Sequence, residues 1–384
     1  MDQDIATGSA PTPAPVSLKR EPFTFTGTTR EYFGIWIVNV LLTILTLGIY
    51  SAWAKVRRQR YFYGNTWLAG ANFEYHARPV QILIGRLIVV TLLVAYQATA
   101  YFAPLVSGII GVAFIFLLPF FVSRGMRFNA RVTSYRNVRF DFTGKYGGAF
   151  LAYLLGGALV YGTGGILAPL ASQWMWNYSL GNLKYGNRPI KCDPRLEKLY
   201  GIWWLPAGIL VLGWIVIVAV LIGLAVTFSD RLGELLAIVG ESLQESRTEG
   251  SEGDVNTPSP MTVLIIVYSI LIPFFILYAI AALIYRAGTR NVALNETIID
   301  GRHIMSSEIH RGRFAWISIS NLVATIATLG LLRPWAAIRM AKYMASVTAL
   351  DATSSLEEYF GSIQDSGAAV GAEYLDVEGF DLGF

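Results

Sequence analysis

Charge is scarce in this sequence. Only 15% of its 384 residues are Asp, Glu, Lys or Arg, against about 25% in an ordinary soluble domain. That shortfall argues against a large soluble core. Cysteine occurs once, as Cys192, which excludes an intrachain disulfide. Histidine occurs three times, as His76, His303 and His310, in loop-like stretches without HExxH spacing or a cysteine partner, so no metal site is expected. The glycines between Gly147 and Gly165 are not followed by the Lys-Ser/Thr of a phosphate loop. They read as small residues for close helix packing. No GxSxG occurs, and no carboxylate pair lies within an apolar run. Proton relays and intramembrane acid–base chemistry need such groups at depth. The chain is therefore expected to be no enzyme and to use no cofactor. Its first 18 residues lack the apolar stretch of a cleavable signal peptide.

Apolar residues are abundant: 54% of the chain, with 10 Trp and 20 Tyr and a mean hydropathy of +0.48. Leu87–Val122, interrupted by Pro104, and the uncharged runs Trp203–Phe228 and Met261–Tyr285 are long enough to cross a bilayer, which takes about 20 apolar residues. They predict two hairpins of full spans, at 81–101 with 105–122 and at 203–228 with 261–285. Residues 1–20 read as a disordered tail, and the acidic end from about Leu350, residues 351–384, reads likewise. The integral part is expected over 21–350. The net charge of +4 is no nucleic-acid signature, because the basic residues flank apolar segments.

One segment is written twice. Thr46–Tyr61, "TLGIYSAWAKVRRQRY", reappears as Thr328–Tyr343, "TLGLLRPWAAIRMAKY", and the match extends back to Ile35 and Ile317, with 12 identities over 27 positions. A third, worn copy turns "FTFTG" at Phe23 into "FDFTG" at Phe140 and keeps Thr163 and Gly165, but Trp174 stands where Arg57 does. The copies span about 23–75, 140–190 and 305–350. They predict a duplicated unit: a short strand, an apolar segment broken at "TLG", and a basic helix.

Loop charge creates a parity problem. Lys and Arg number five in 51–78, six in 123–146, five in 174–200 and five in 286–313, but two in 229–260, where seven acids lie. By the positive-inside rule both long hairpins leave from the cytoplasm, the acidic loop 229–260 is external, and both termini are cytoplasmic. Each copy is then flanked by basic stretches on both sides. Either the copies are re-entrant and turn near Gly48, Gly165 and Gly330, or they are ordinary spans with weak topology signals. A re-entrant turn cannot show bare backbone to lipid and is expected to line protein or a wet cavity.

The candidate binding residues follow from that break: Thr46, Gly48, Trp53 and Arg57, with Thr328, Gly330, Trp335 and Arg339. The basic helix with Lys55, Arg57, Arg58 and Arg60 reads as a surface for anionic lipid headgroups or as a plain interface anchor. Arg86 reads as a snorkelling residue or as a functional membrane arginine.

"NVLLTILTLGIYSAWAKVRRQRYFYGNT", with the flanking "FTFTG" and "GANFEY", resembles the YjgN-like family of bacterial inner-membrane proteins, a domain of unknown function, over roughly 20 to 350. The family carries Pro where this chain has Ala52; Pro334 keeps it in the last copy. The resemblance implies a polytopic protein of the bacterial cytoplasmic membrane and no activity. The expected fold is an all-α polytopic membrane protein with four spans, three broken segments and short strand-like connections. The leading function is a transporter or channel-like protein for a small solute, ion or lipid. The rival is a structural protein that organises lipid or recruits partners. The lipid bilayer is the expected partner, nucleic acid is not, and homo-oligomerisation and the substrate stay open.

Overall fold

The computed structural model describes residues 19–227, 260–353, 356–361 and 363. Its framework is a single antiparallel sheet of short strands: β1 (Lys19–Pro22), β2 (Thr24–Phe25), β3 (Thr66–Leu68), β4 (Ala71–Tyr75), β5 (Thr133–Tyr135), β6 (Val138–Phe142), β7 (Leu183–Tyr185), β8 (Arg188–Cys192), β9 (Thr297–Ile299), β10 (His303–Ser307) and β11 (Thr348–Ala352). The order is β1-β11-β10-β9-β8-β7-β6-β5-β4-β3-β2. Its two ends are successive pieces of one segment. Lys19 faces Ala352 on one side, and Phe25 faces Thr66 on the other. Between them Phe23 N donates to Thr348 O at 3.0 Å. The sheet therefore closes into a barrel-like ring with ten strand positions.

Five times the chain leaves this ring along one helix and returns on a second. The pairs are α1 (Thr29–Leu45) with α2 (Ser51–Gly64), α3 (Pro79–Phe102) with α4 (Pro104–Arg131), α5 (Tyr146–Gly162, with a π-helical stretch at Phe150–Leu155) with α6 (Ala168–Gly181), α7 (Leu196–Thr227) with α8 (Pro260–Asn295), and α9 (Arg311–Ala327) with α10 (Arg333–Ser346). The register fixes their side. Tyr75 faces Thr133, Phe142 faces Leu183, Cys192 faces Thr297 and Ser307 faces Thr348, so all helix-bearing strand ends share one rim. The tight turns share the other. Two are type I′ in form, with positive φ at Ala69 and Gly70 (45° and 77°) and at Arg136 and Asn137 (48° and 65°), the turn whose twist suits an antiparallel pair. Neighbouring helices pack in chain order, and α1 packs against α10, so the helices close a circle above the strands.

The hairpins come in two lengths. α3, α4, α7 and α8 contain the helices long and apolar enough to cross a membrane, four among the described residues. The legs of the first and fifth hairpins have only 17 and 14 residues, about 25 and 21 Å of helix. Around the circle the order is short, long, short, long, short.

The all-α expectation is corrected by the eleven-stranded sheet. Its strands are two to five residues long, so each reads singly as a connection. Their partners lie a helical hairpin away, where no local pattern reveals them. Of the tails, Lys19 and Arg20 belong to β1, and residues 1–18 lie outside the described residues, as does the acidic loop up to Ser259. The acidic end is not detached from Leu350 onward. Leu350 and Ala352 stand in β11, and α11 (Leu356–Gly361) fills the ring. Leu356, Tyr359 and Ile363 are buried there with Leu68, Tyr135 and Tyr185, and Phe23, Phe73, Phe140 and Phe360 pack around them. Tyr135 Oη donates to Leu68 O at 2.6 Å, and Tyr185 Oη donates to Tyr135 O at 2.8 Å, tying every second strand, β3 to β5 to β7, inside the wall.

His303 opens β10 and is fully buried. Its ring lies 4.3 Å from that of Tyr359, and Thr353 N donates to its Nδ1 at 3.4 Å. Burial pushes the imidazole below its ordinary value of 6.5, Asp300 opposes this, and Arg302 adds to it. A group with a lowered folded value favours the folded state above its unfolded value and disfavours it as pH falls. The seat of α11 is expected to weaken as pH drops below about 6.5. Limited proteolysis between pH 7.5 and 5.5 should show earlier cleavage at the C-terminal helix in acid, and His303→Gln should flatten that dependence.

Candidate functional site at the hairpin tips

The chain at the first tip folds back within six residues. Leu47 and Gly48 have φ of 49° and 93°; at the fifth tip Leu329 and Gly330 have 50° and 94°. Positive φ at a helix end lets the chain cap its own carbonyls. Gly48 N donates to Thr43 O at 2.7 Å, and Gly330 N donates to Thr325 O at 2.7 Å. The threonine hydroxyls finish the work. Thr46 Oγ1 donates to Leu42 O at 2.7 Å and accepts from Tyr50 N at 2.9 Å. Thr328 Oγ1 donates to Ala324 O at 2.7 Å and accepts from Leu332 N at 3.1 Å. Every backbone N–H from Thr46 to Ser51, and from Thr328 to Arg333, has an acceptor. The third tip repeats the scheme: Thr163 Oγ1 bonds Leu159 O and Leu167 N, and Gly165 N bonds Val160 O.

What these tips present is apolar. Leu47 and Leu329 are 95% and 97% exposed, and Ile44, Leu45 and Ile326 stand open beside them. A bare backbone group in hydrocarbon costs several kcal/mol, and here none of the turn's N–H groups is bare. The threonine hydroxyls and the glycine N–H groups act as caps within the turn itself.

Two side chains near the starts of long helices meet the tips. Arg86, the eighth residue of α3, donates to Ser51 Oγ at the first tip. Trp203, the eighth residue of α7, donates through Nε1 to Gly165 O at the third, at 2.9 Å. Seven residues into a helix is about 10 Å from its start. Arg and Trp are residues of the membrane–water boundary. Arg86 is thus held by a partner on the neighbouring hairpin and does not merely snorkel.

The remaining candidates lie along the return helices. Arg339 Nη1 donates to Ser320 Oγ at 2.7 Å and to Asn321 Oδ1 at 3.0 Å, with its Cζ 5.1 Å over the Trp335 ring. It clamps α9 to α10. Arg57 is exposed, and the Oδ1 of Asn39, the residue matching Asn321, is buried without a hydrogen-bond partner among the described residues. Trp53 stacks on Tyr50 at 6.1 Å. The eight candidates therefore fall into two sets, one per hairpin, on hairpins that adjoin through α1 and α10.

Residues outside the candidate set hold the hairpin bases. Tyr61 Oη accepts from Thr28 N at 2.8 Å and lies 3.0 Å from Glu31 Oε2, which holds that carboxyl below its ordinary value. Tyr343 meets the backbone of His310 in the same way. The Tyr61–Tyr343 identity was the available signal. Arg60 donates to the carbonyls of Tyr75 and Ala77, and Arg127 to those of Phe142 and Gly144. No sequence pattern announces a side chain that binds main-chain oxygens. Among the described residues no group of three or more His, Cys, Asp or Glu could hold a metal.

Thr46→Val removes a hydroxyl that makes two bonds and should cost about 1–2 kcal/mol. Gly330→Ala forces a methyl-bearing residue into left-handed backbone and should cost about 1–2 kcal/mol. Both are expected to lower the thermal midpoint of the detergent-solubilised protein, whereas Leu329→Ala, which alters only an exposed side chain, leaves it nearly unchanged.

Comparison with known proteins agrees with this membrane architecture. "Inner membrane protein YjgN" of Escherichia coli K12 is 39% identical over 121 residues, and its namesake in Escherichia coli O157:H7 is 38% identical over 121; each match covers 31% of this chain and 30% of the relative. The Salmonella typhimurium protein of that name is 35% identical over 119 residues, again 30% of its length. The chain thus spans about a third of the curated relatives it matches. No solved structure matches. The family model described as bacterial protein of unknown function (DUF898) matches residues 20–377, nearly the whole chain, and the protein belongs to that family of inner-membrane proteins.

Proposed function

We propose that this protein organises lipid in the inner membrane, with the three short hairpins inserted as wedges into the cytoplasmic leaflet around four spanning helices. The observation that carries the reading is the self-satisfied, leucine-capped tip. It suits a turn that ends among acyl chains and offers an anion or solute no free backbone N–H. A transporter would use such groups where broken helices meet. The strand ring would lie on the cytoplasmic face, because the windows 51–78, 123–146, 174–200 and 286–313, which hold β3 to β10, carry five or six Lys and Arg each. Lys55, Arg57 and Arg58 on α2 would then meet anionic headgroups, with Arg58 lying 5.8 Å from the Phe62 ring centre. Duplication of one hairpin unit accounts for the shared geometry at residues 46–48 and 328–330.

Thiol accessibility tests the topology. With Cys192 replaced by Ser, Glu31→Cys and Gln59→Cys should both stay shielded from an impermeant reagent in intact cells and react after lysis. Environment-sensitive labels at Leu47→Cys and Leu329→Cys should be quenched by bromines high on the acyl chain more than by bromines near its end or by aqueous iodide. Labelling of Glu31→Cys from outside would make the segment an ordinary span. Strong iodide quenching at the tips would revive the wet cavity and, with it, transport.

A further inference from the structure

Ten strand positions enclose more room than their own side chains fill. About eight strands already give an interior that side chains just fill or that holds one small ligand. The excess here is taken by α11, a six-residue helix joined to β11 by a short link. Its hold is one of side chains. Phe360 lies against Tyr135 at 5.3 Å and Tyr185 at 6.1 Å, and Tyr359 meets His303 edge-on. The wall it covers is apolar and aromatic, with Phe73, Phe140, Ile299 and Met305. Strands of three and five residues alternate there and make that wall about 10–17 Å tall.

The rim of tight turns is chemically different. Arg136 lies with its Cζ 4.6 Å over the Phe360 ring, and Arg188 and Arg302 act on the Tyr359 hydroxyl together with Asp300. Several charges there are matched: Lys19 pairs with Glu21 at 2.8 Å, and Arg188 Nη1 lies 3.5 Å from Asp300 Oδ2. Yet the Nε groups of Arg136 and Arg188 are buried without an acceptor among the described residues. Two guanidinium N–H donors left this way are costly, and they face the mouth of an apolar chamber. The chain's own occupant has the complementary character. α11 presents Leu356, Tyr359 and Phe360, with Glu357 and Glu358 between them in sequence, and Asp365, Glu373, Asp376, Glu378 and Asp381 follow it.

We propose that the strand ring is a binding chamber for a long-chain carboxylate, a fatty-acid-like molecule, and that α11 occupies this chamber in cis. The alkyl chain lies along Phe73, Phe140 and Tyr185 in place of Tyr359 and Phe360. The carboxylate accepts from the Nε groups of Arg136 and Arg188. The ligand binds without covalent chemistry, and its affinity is reduced by the fraction of time α11 holds the chamber. The inference rests on the ring and not on the leaflet-wedge reading, so either can fail alone.

The test uses the full chain in nanodiscs of phosphatidylethanolamine and phosphatidylglycerol, with palmitic acid bearing a terminal diazirine and with its methyl ester. Illumination and peptide mapping locate the label. In a Tyr359→Ser/Phe360→Ser variant, labelling of peptides from β4 to β7 should rise about fivefold or more over the wild type, as the competent fraction grows. The acid should label better than the ester, and Arg136→Gln/Arg188→Gln should erase that preference. Cys192, 3% exposed in β8 with its thiol pushed up to about 11 by burial, reports an intact ring by resisting thiol reagents. Label confined to the spanning helices in both proteins, with Cys192 still protected, overturns the proposal. Should Cys192 become reactive in the variant, the wild type decides: saturating palmitate must speed proteolysis beyond Leu356, and no acceleration overturns the proposal.

Discussion

Everything in this molecule hangs on the backbone pairing of seven residues, Lys19–Phe25. They lie between β11 and β3 and bond to both, turning an open sheet into a ring. An open sheet of strands this short would show two unpaired edges at the membrane surface. Closure removes them and sets five helical hairpins on one rim, so the positions of all the helices follow from ladders of two to four residue pairs.

The hairpins answer a second constraint, the intolerance of hydrocarbon for an unpaired amide. The long hairpins meet it by continuous helix. The short ones turn beside exposed apolar residues such as Leu47 and Leu329, and their N–H groups are satisfied by a fixed recipe of a threonine, a residue in left-handed backbone and a glycine. Arg86 and Trp203 then tie two of the three turns to the next spanning helix. The fifth hairpin is followed by the first, another short one, and no long helix stands between them.

Much of this was legible in the sequence, for identifiable reasons. The four spans follow from uncharged length, and the breaks near Gly48, Gly165 and Gly330 follow from a glycine beside a threonine in an apolar run. The stretches 23–27 and 68–75 alternate and read as strands, but their partnership did not show. Phe73 meets Tyr135 across 62 residues of helical hairpin, and two- to five-residue strands carry too little periodicity to announce a ring. The acidic composition after Leu350 hid Leu356, Tyr359 and Ile363, whose spacing is that of one helical face. The candidate threonines and glycines were found from the break, and their hydroxyls and N–H groups bond within the turn itself. Arg136 and Arg188 were invisible because their significance lies in what surrounds them after folding.

The pairing of Lys19 with Ala352 also sets a schedule for biogenesis. The first strand leaves the ribosome 333 residues before its partner does, and at about 5–20 residues per second that interval is on the order of tens of seconds. Over that time the nascent chain inserts its hairpins one after another while an unpaired edge waits at the membrane surface. Contacts so distant in sequence close slowly, so the last few dozen residues act as the clasp of the whole assembly. A chain that stops short of Thr348 has inserted every helix of the circle and still cannot close the ring.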